Sequence, residues 1–486
     1  MRVPDEANFG PVQAVAIVGA ALRFPGAWDP DSFHELTVSG RRMFRELAGK
    51  TPGSAPPGGD GPAGAAPLRT ALRAALLDDQ PHVPGRDDEL TGGITARHIL
   101  ATETAVAALA DVPPAGRVVA PGRIGVFIAD IPEPGTADVR DWVRHQLRLL
   151  TAGEDTVTNG AGANGARPPG GGRGVLVGSA GIPQPSGADV HELLLGTIDL
   201  LGRKPGVSAV NGTARGGLHC SLRAVTAACE ALNAGEYDLA LAGGVAKGVG
   251  AWTRGRHPAG GHVRVYDASP TGTLPGEGCG MVALRRGTDT RAVQVPAYAE
   301  IIGWHAAGPA GSHGAELPAA YARAGIDPAD IQFVEGHGAA TADDDLAELS
   351  ALLEVLGTRK ADTRHRCALG SVAANIGDTR AAAGIAALLK TAFAMTADTI
   401  PPSTGCVRPN RLLSGGRTPF RFPSAAELWP QTPVQLAAVN TLGTAPYPGA
   451  PRSGPVHVVL RRERDPAHRP GRRRKPAPLV VAPLGS

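Results

Sequence analysis

Aromatic side chains make up only 4% of the 486 residues, and there are five cysteines. Cys220, Cys229, Cys279, Cys367 and Cys406 form no CxxC pair and follow no zinc-ligand spacing, which argues against a metal site and for a reducing compartment. No apolar run approaches the roughly 18 residues a membrane span needs, and no basic-plus-apolar leader opens the chain. A cytoplasmic protein without membrane contact is expected. The acidic triplet Asp343-Asp344-Asp345 lacks EF-hand spacing and reads as a solvated helix N-terminus, not a metal site.

Glycine (66) and proline (44) are abundant instead. They concentrate in segments 49–66 and 159–174 and in the tail from Arg461, which bury too little apolar surface to offset their ordering entropy. The net charge of +3 conceals an asymmetry, because residues 461–475 hold eight Arg/Lys against two acids and leave the remainder at −3. Such a tail suits a solvated linker, or an acidic partner. No aromatic residue interleaves the basic run, so nucleic acid is not an expected partner.

Between these segments lie apolar runs of strand length: Val15–Val18, Ile124–Ile128, Leu239–Ala242, Met281–Leu284, Ile331–Val334, Ala437–Val439 and Val456–Leu460. Unbroken apolar strands predict a sheet covered on both faces. Leu222, Val225, Cys229 and Leu232 recur at helical spacing before Gly235, and Leu346, Leu349, Leu353 and Leu356 do so before Gly357. Residues 379–395 have almost no polar face and predict a helix buried all round. Strands alternating with helices give a layered α/β class. No internal repeat is visible in the sequence.

Six stretches carry a family resemblance. Ala14–Trp28 (AVAIVGAALRFPGAW) resembles IAIVGMACRFPGA, and Arg123–Ile128 (RIGVFI) resembles TGVFVG. Ala227–Val245 (AACEALNAGEYDLALAGGV) is similar to LACQSLRSGECDLALAGGV. Arg264–Arg286 aligns without a gap to RAFDAGADGYVRGEGAGVVVLKR. Val334–Gly338 with Leu369–Asp378 resembles VEAHGTGT and SVKSNIGH. All are motifs of β-ketoacyl synthase (ketosynthase) domains of type I polyketide synthases, and they occur in family order over residues 12–462. The resemblance implies a thiolase fold, two similar α/β halves in a five-layered αβαβα arrangement. It implies halves at 1–289 and 290–462, and a basic, Pro-rich tail at 463–486 like a ketosynthase–acyltransferase linker.

Ketosynthases condense acyl chains through a cysteine thiolate, two histidines and a lysine. The family motif VDTACSSSL falls on Val210–Leu222, where counting back from Gly243-Gly244-Val245 puts Leu218 at the nucleophile position and counting forward from Thr213-Ala214 puts Arg215 there. Neither is a thiol. Cys220 is the nearest one, and two helical steps would turn it about 200° away from that position. His337 is kept, whereas Ala373 stands for the lysine and Asp378 for the second histidine. An ionised carboxylate accepts hydrogen bonds and repels a developing enolate, which needs donors. A contact between Asp378 and His337 would hold the imidazole without replacing the lost donor. Asp345 and Glu348 match acids that follow the family's histidine turn, so that turn is expected to fold in the usual way. The closing loop GVSSFGFGGTNAHVVL is altered to Ala438–Leu460, with an insertion carrying Pro446, Tyr447, Pro448 and Pro451.

These losses predict a non-condensing, chain-length-factor-like partner of an active ketosynthase, or a self-dimer, meeting an acyl carrier protein and using no cofactor. The alternative is a working acyltransferase, decarboxylase or β-ketoacyl synthase acting on carrier-protein thioesters, with Cys220 or His337 in the chemistry.

Overall fold

The structure is a computed structural model, and it describes residues 12–46, 73–77, 96–117, 119, 123–130, 220–247, 262–308, 316–357, 366–413, 418–443 and 454–464. Six of the seven apolar runs lie wholly in strands, and the seventh, Ile331–Val334, is strand only from Phe333. Val15–Arg23 (β1), Ile124–Asp130 (β2), Leu239–Ala246 (β3) and Gly278–Arg286 (β4) belong to the first half of the chain. Glu300–Ala306 (β5), Phe333–Glu335 (β6), Cys367–Gly370 (β7), Phe420–Arg421 (β8), Val434–Thr441 (β9) and Val456–Glu463 (β10) belong to the second. They form one ten-stranded sheet in the order β8-β7-β6-β9-β10-β5-β1-β4-β3-β2.

That order contains a repeat the sequence conceals. In each half the first strand pairs antiparallel with the last, β1 with β4 and β5 with β10. The last pairs antiparallel with the strand before it, β4 with β3 and β10 with β9. That strand lies parallel to the second, β3 to β2 and β9 to β6. The halves join where Val15 and Ala16 pair with Ile301 and Glu300.

Helices complete the layers. Ala96–Asp111 (α1) covers the outer face of β1, β3 and β4. Ser221–Asn233 (α2) packs on the opposite face and against Ala383–Thr396 (α5), which packs in turn on β9. Glu316–Ala324 (α3) covers β5 and β10 and touches Ala342–Leu356 (α4). The succession α-β-α-β-α is the expected five-layered arrangement. As anticipated, the central α5 is buried from Gly384 to Met395, because it is enclosed by sheet on one side and α2 on the other.

The ends of these helices follow their residues. At the end of α2, Gly235 (φ 73°) donates to the Leu232 carbonyl and Glu236 N–H to that of Ala231, the paired bonds of a Schellman stop. Helix α4 ends at Gly357 as expected, but its inward stripe is rotated from the leucine pattern. Leu346 is 44% exposed, whereas Asp345, Glu348, Leu349, Leu352 and Leu356 face inward. The predicted solvated acidic N-terminus is therefore corrected at Asp345, which is 1% exposed. Its carboxylate accepts from the N–H groups of Tyr266 and Ala340, and those bonds offset part of the cost of its burial.

Candidate active site

β6 and β7 run parallel, so the turns that follow them emerge on the same edge of the sheet. Between those turns, the end of β9 and the start of α5 lies a cavity of about 220 Å³. Its walls include His337, Ala373, Asp378, Thr273, Asn440 and Thr441. The fold thus brings together three of the residues singled out from sequence, 337, 373 and 378.

Glu348 fixes the His337 turn. Its carboxylate, almost fully buried, accepts from four donors: the N–H groups of His337 (2.7 Å) and Gly338 (3.0 Å), the Asn440 amide (2.7 Å) and the Tyr266 hydroxyl (2.9 Å). Each oxygen takes two bonds, which offsets the cost of burying a charge. Burial, followed by the Glu348 charge, pushes the Tyr266 phenol well above its usual range and keeps it a donor. Ser371 donates to the His337 carbonyl at 2.8 Å. The imidazole itself makes no hydrogen bond among the described residues, so one aromatic acid–base group faces the cavity on a clamped backbone.

A buried ion pair lies beneath the same turn. Lys390 of α5 approaches Glu335 at the end of β6 to 2.8 Å, and the two side chains are 1% and 0% exposed. Burial raises the Glu335 pKa, opposed by the Lys390 charge.

Asp378 does not reach His337 by a hydrogen bond among the described residues. Its carboxylate accepts from the Arg380 N–H at 2.8 Å, while its backbone exchanges bonds with Leu274 and Gly276. The carboxylate thus serves its own turn, and Arg380 takes a positive φ of 51° there. Ala373 opens the short helical turn Ala373–Ile376 and presents only a methyl group.

Cys220 requires a correction. It does not lie within a helix as expected: α2 begins at Ser221, and Cys220 is the extended residue before it, with φ −137° and ψ 122°. A 100° helical step therefore does not apply to it. The thiol is buried, and its Sγ lies 3.6 Å from Thr441 Oγ1. Thr441 lines the cavity, so this sulfur stands one side chain behind the wall. No thiol lines the cavity among the described residues. Arg215 and Leu218 lie outside the described residues, as do Pro446, Tyr447, Pro448 and Pro451. The ends of the closing loop are pinched together: a Cβ on Gly443 (φ 76°) would fall 2.3 Å from the Gly454 carbonyl oxygen.

Family models match this region of the chain. That for the β-ketoacyl synthase N-terminal domain matches residues 218–290, and that for the β-ketoacyl synthase C-terminal domain matches residues 299–406. Over those residues the chain is similar to β-ketoacyl synthase domains. It is 32% identical over 262 residues to mycoketide-CoA synthase of Mycobacterium tuberculosis, covering 50% of this chain and 6% of that protein. It is 33% identical over 284 residues to the spectinabilin polyketide synthase system protein NorA' of Streptomyces orinoci, covering 54% of this chain and 8% of that one. The chain therefore spans less than a tenth of either relative. Its fold matches the ketosynthase from module 6 of the Bacillus subtilis bacillaene synthase at a TM-score of 0.64, with 22% identity over 93% of this chain and 72% of that one. The Streptomyces albus oxazolomycin ketosynthase domain OzmH KS8 matches at 0.58, with 23% identity over 96% and 99%.

Four further residues belong to this site and were not singled out from sequence: Tyr266, Thr273, Asn440 and Thr441. Each lies in a stretch marked by its motif, Arg264–Arg286 or Ala438–Leu460, but its role becomes legible only when the sheet sets it against the His337 turn. Among the described residues no group of three or more His, Cys, Asp or Glu converges as a metal site would require, and no helix is long and apolar enough to cross a membrane.

Proposed function

We propose that this ketosynthase domain does not condense, and that it serves as a chain-length-factor-like partner of an active ketosynthase or of a second copy of itself. One observation carries the reading. The cavity that holds His337 is lined by a methyl group at Ala373 and by a locally bonded carboxylate at Asp378, where the family resemblance implies an ammonium and an imidazole. Carbon–carbon bond formation needs donors aimed at a developing enolate oxygen, and both substitutions remove one. On this reading residues 1–289 and 290–462 are its two halves, residues 463–486 a linker, acyl carrier protein its thioester-bearing partner, and the cytoplasm its location.

The test is elongation against association. The purified chain, given a malonyl and an acyl carrier-protein thioester, is expected to form no β-ketoacyl product while co-purifying with an active ketosynthase or as a dimer. Elongation by the chain alone sinks the proposal, and so does a strictly monomeric chain that binds neither ketosynthase nor carrier protein.

The place of Cys220 favours a second reading, in which its thiol, one side chain behind the cavity wall, accepts an acyl group when Thr441 moves aside. The thiolate would attack the thioester carbonyl, expel the carrier thiolate, and leave an acyl-enzyme thioester. An acyl mass shift that is lost in Cys220→Ala supports it.

A further inference from the structure

One buried histidine has no part in the reading above. His457 of β10 is the direct cross-strand partner of Asn440 of β9, so the two side chains leave the same face of the sheet, the face covered by α3 and α4. Both are shut off from water, at 0% and 2% exposed. Tyr321 of α3 packs against the imidazole. Asn440 continues to Glu348 of α4, the carboxylate that holds the His337 turn.

The donors and acceptors assign the proton on the ring. The Glu348 carboxylate already accepts from two N–H groups and a phenol hydroxyl, so the Asn440 amide turns its nitrogen toward it, at 2.7 Å. That leaves the amide oxygen facing His457 Nδ1 at 3.4 Å, a long contact that is attractive only if Nδ1 carries the proton. With Nδ1 bare, two lone pairs would face each other in a buried site. Nε2 is then the bare nitrogen, and it has no hydrogen-bond partner among the described residues. Burial keeps the ring from taking a second proton, because it pulls the pKa to about 3.

We propose that His457 is a positioning residue for the candidate active site. As its Nδ1–H tautomer it holds the Asn440 amide in the orientation that donates to Glu348, and through Glu348 it fixes the turn that presents His337 to the cavity. The relay crosses the neighbouring strands β10, β9 and β6 and ends on the N–H groups that follow β6. Without the Nδ1–H the amide oxygen is buried unpaired, and the amide gains by swinging away from Glu348. The proposal goes beyond the reading above and does not depend on it, since the turn is held in this way whether or not the chain condenses.

The experiment is NMR of the full chain labelled with nitrogen-15 histidine. In the parent, the ring couplings of His457 are expected to place the proton on Nδ1. His457→Phe keeps an aromatic ring against Tyr321 but removes the N–H, and should speed hydrogen exchange at the His337 backbone amide about tenfold, as loss of one buried hydrogen bond implies. His457→Asn gives up the ring but puts an amide N–H where Nδ1 stood, and should restore exchange toward the parent. A purely packing role predicts the reverse order of the two variants. Combining His457→Phe with Asn440→Ala should loosen the turn no further than Asn440→Ala alone. A proton on Nε2 in the parent, unchanged exchange in His457→Phe, or failure of His457→Asn to restore what His457→Phe loses overturns the proposal. If His457→Phe fails to fold, the tautomer in the parent decides.

Discussion

Ala340 carries backbone strain inside the candidate site. It sits in the His337 turn at φ 57°, a left-handed conformation that costs an L-residue about 1–2 kcal/mol. Glycine removes most of that cost and returns part of it as chain entropy. Ala340→Gly is therefore expected to raise stability by roughly 0.5–1 kcal/mol in urea unfolding. His457 behaves differently. It is fully buried, its ring packs against Tyr321 at a 54° tilt with centroids 5.1 Å apart, and burial pulls its pKa from 6.5 to about 3. The folded chain keeps this ring neutral while the unfolded chain protonates it below 6.5. Stability from this residue is thus full above 6.5 and is lost progressively as pH falls toward 3. The loss is on the order of a few kcal/mol. His457→Gln should flatten that acid limb. Asp345 has the opposite sign: burial lifts its pKa from 3.8 to about 7, so it weakens the fold as pH rises across that interval.

At the level of elements, the pairing of strand β6 with helix α5 rests partly on Lys390 and Glu335. Removing one partner leaves an uncompensated buried charge, whereas removing both leaves none. Lys390→Met is expected to cost about 3–5 kcal/mol, and the double variant Lys390→Met/Glu335→Gln should recover much of it. A double-mutant cycle in urea measures the difference, and equal losses in the single and double variants would refute it. The inner face of α4 follows the same logic. Glu348 and Asp345 face inward because the turn ahead of the helix supplies backbone donors that no aliphatic side chain could satisfy.

Across the whole molecule, the two halves share one core. A single apolar cluster takes in Val15, Ala224, Val225 and Leu284 from the first half and Ile385, Leu388, Val439 and Val458 from the second. Gly384 of α5 meets Leu222 of α2 so closely that a Cβ there would fall 2.7 Å from the leucine backbone nitrogen. Each central helix therefore exposes a large apolar face without the other. Scanning calorimetry is expected to show one cooperative transition for both halves, with equal calorimetric and van't Hoff enthalpies. Two separable transitions would show that the halves fold independently.

Six of the seven apolar runs, the buried helix expected at 379–395 and found at Ala383–Thr396, the glycine stops at 235 and 357, and the ketosynthase-like order of motifs were legible in the sequence. Periodicity and turn chemistry act over a few residues, and so leave a local trace. The duplicated strand order left none, because pairing between β1 and β4 or β5 and β10 links residues far apart in the chain. Tertiary structure alone decided that Asp345 and Glu348 face inward. It also decided that Cys220 stands at the mouth of α2 behind Thr441, and that Asp378 spends its carboxylate on Arg380 and not on His337. Side-chain direction and hydrogen-bond partner depend on neighbours that only the folded sheet brings within 3 Å or so of one another.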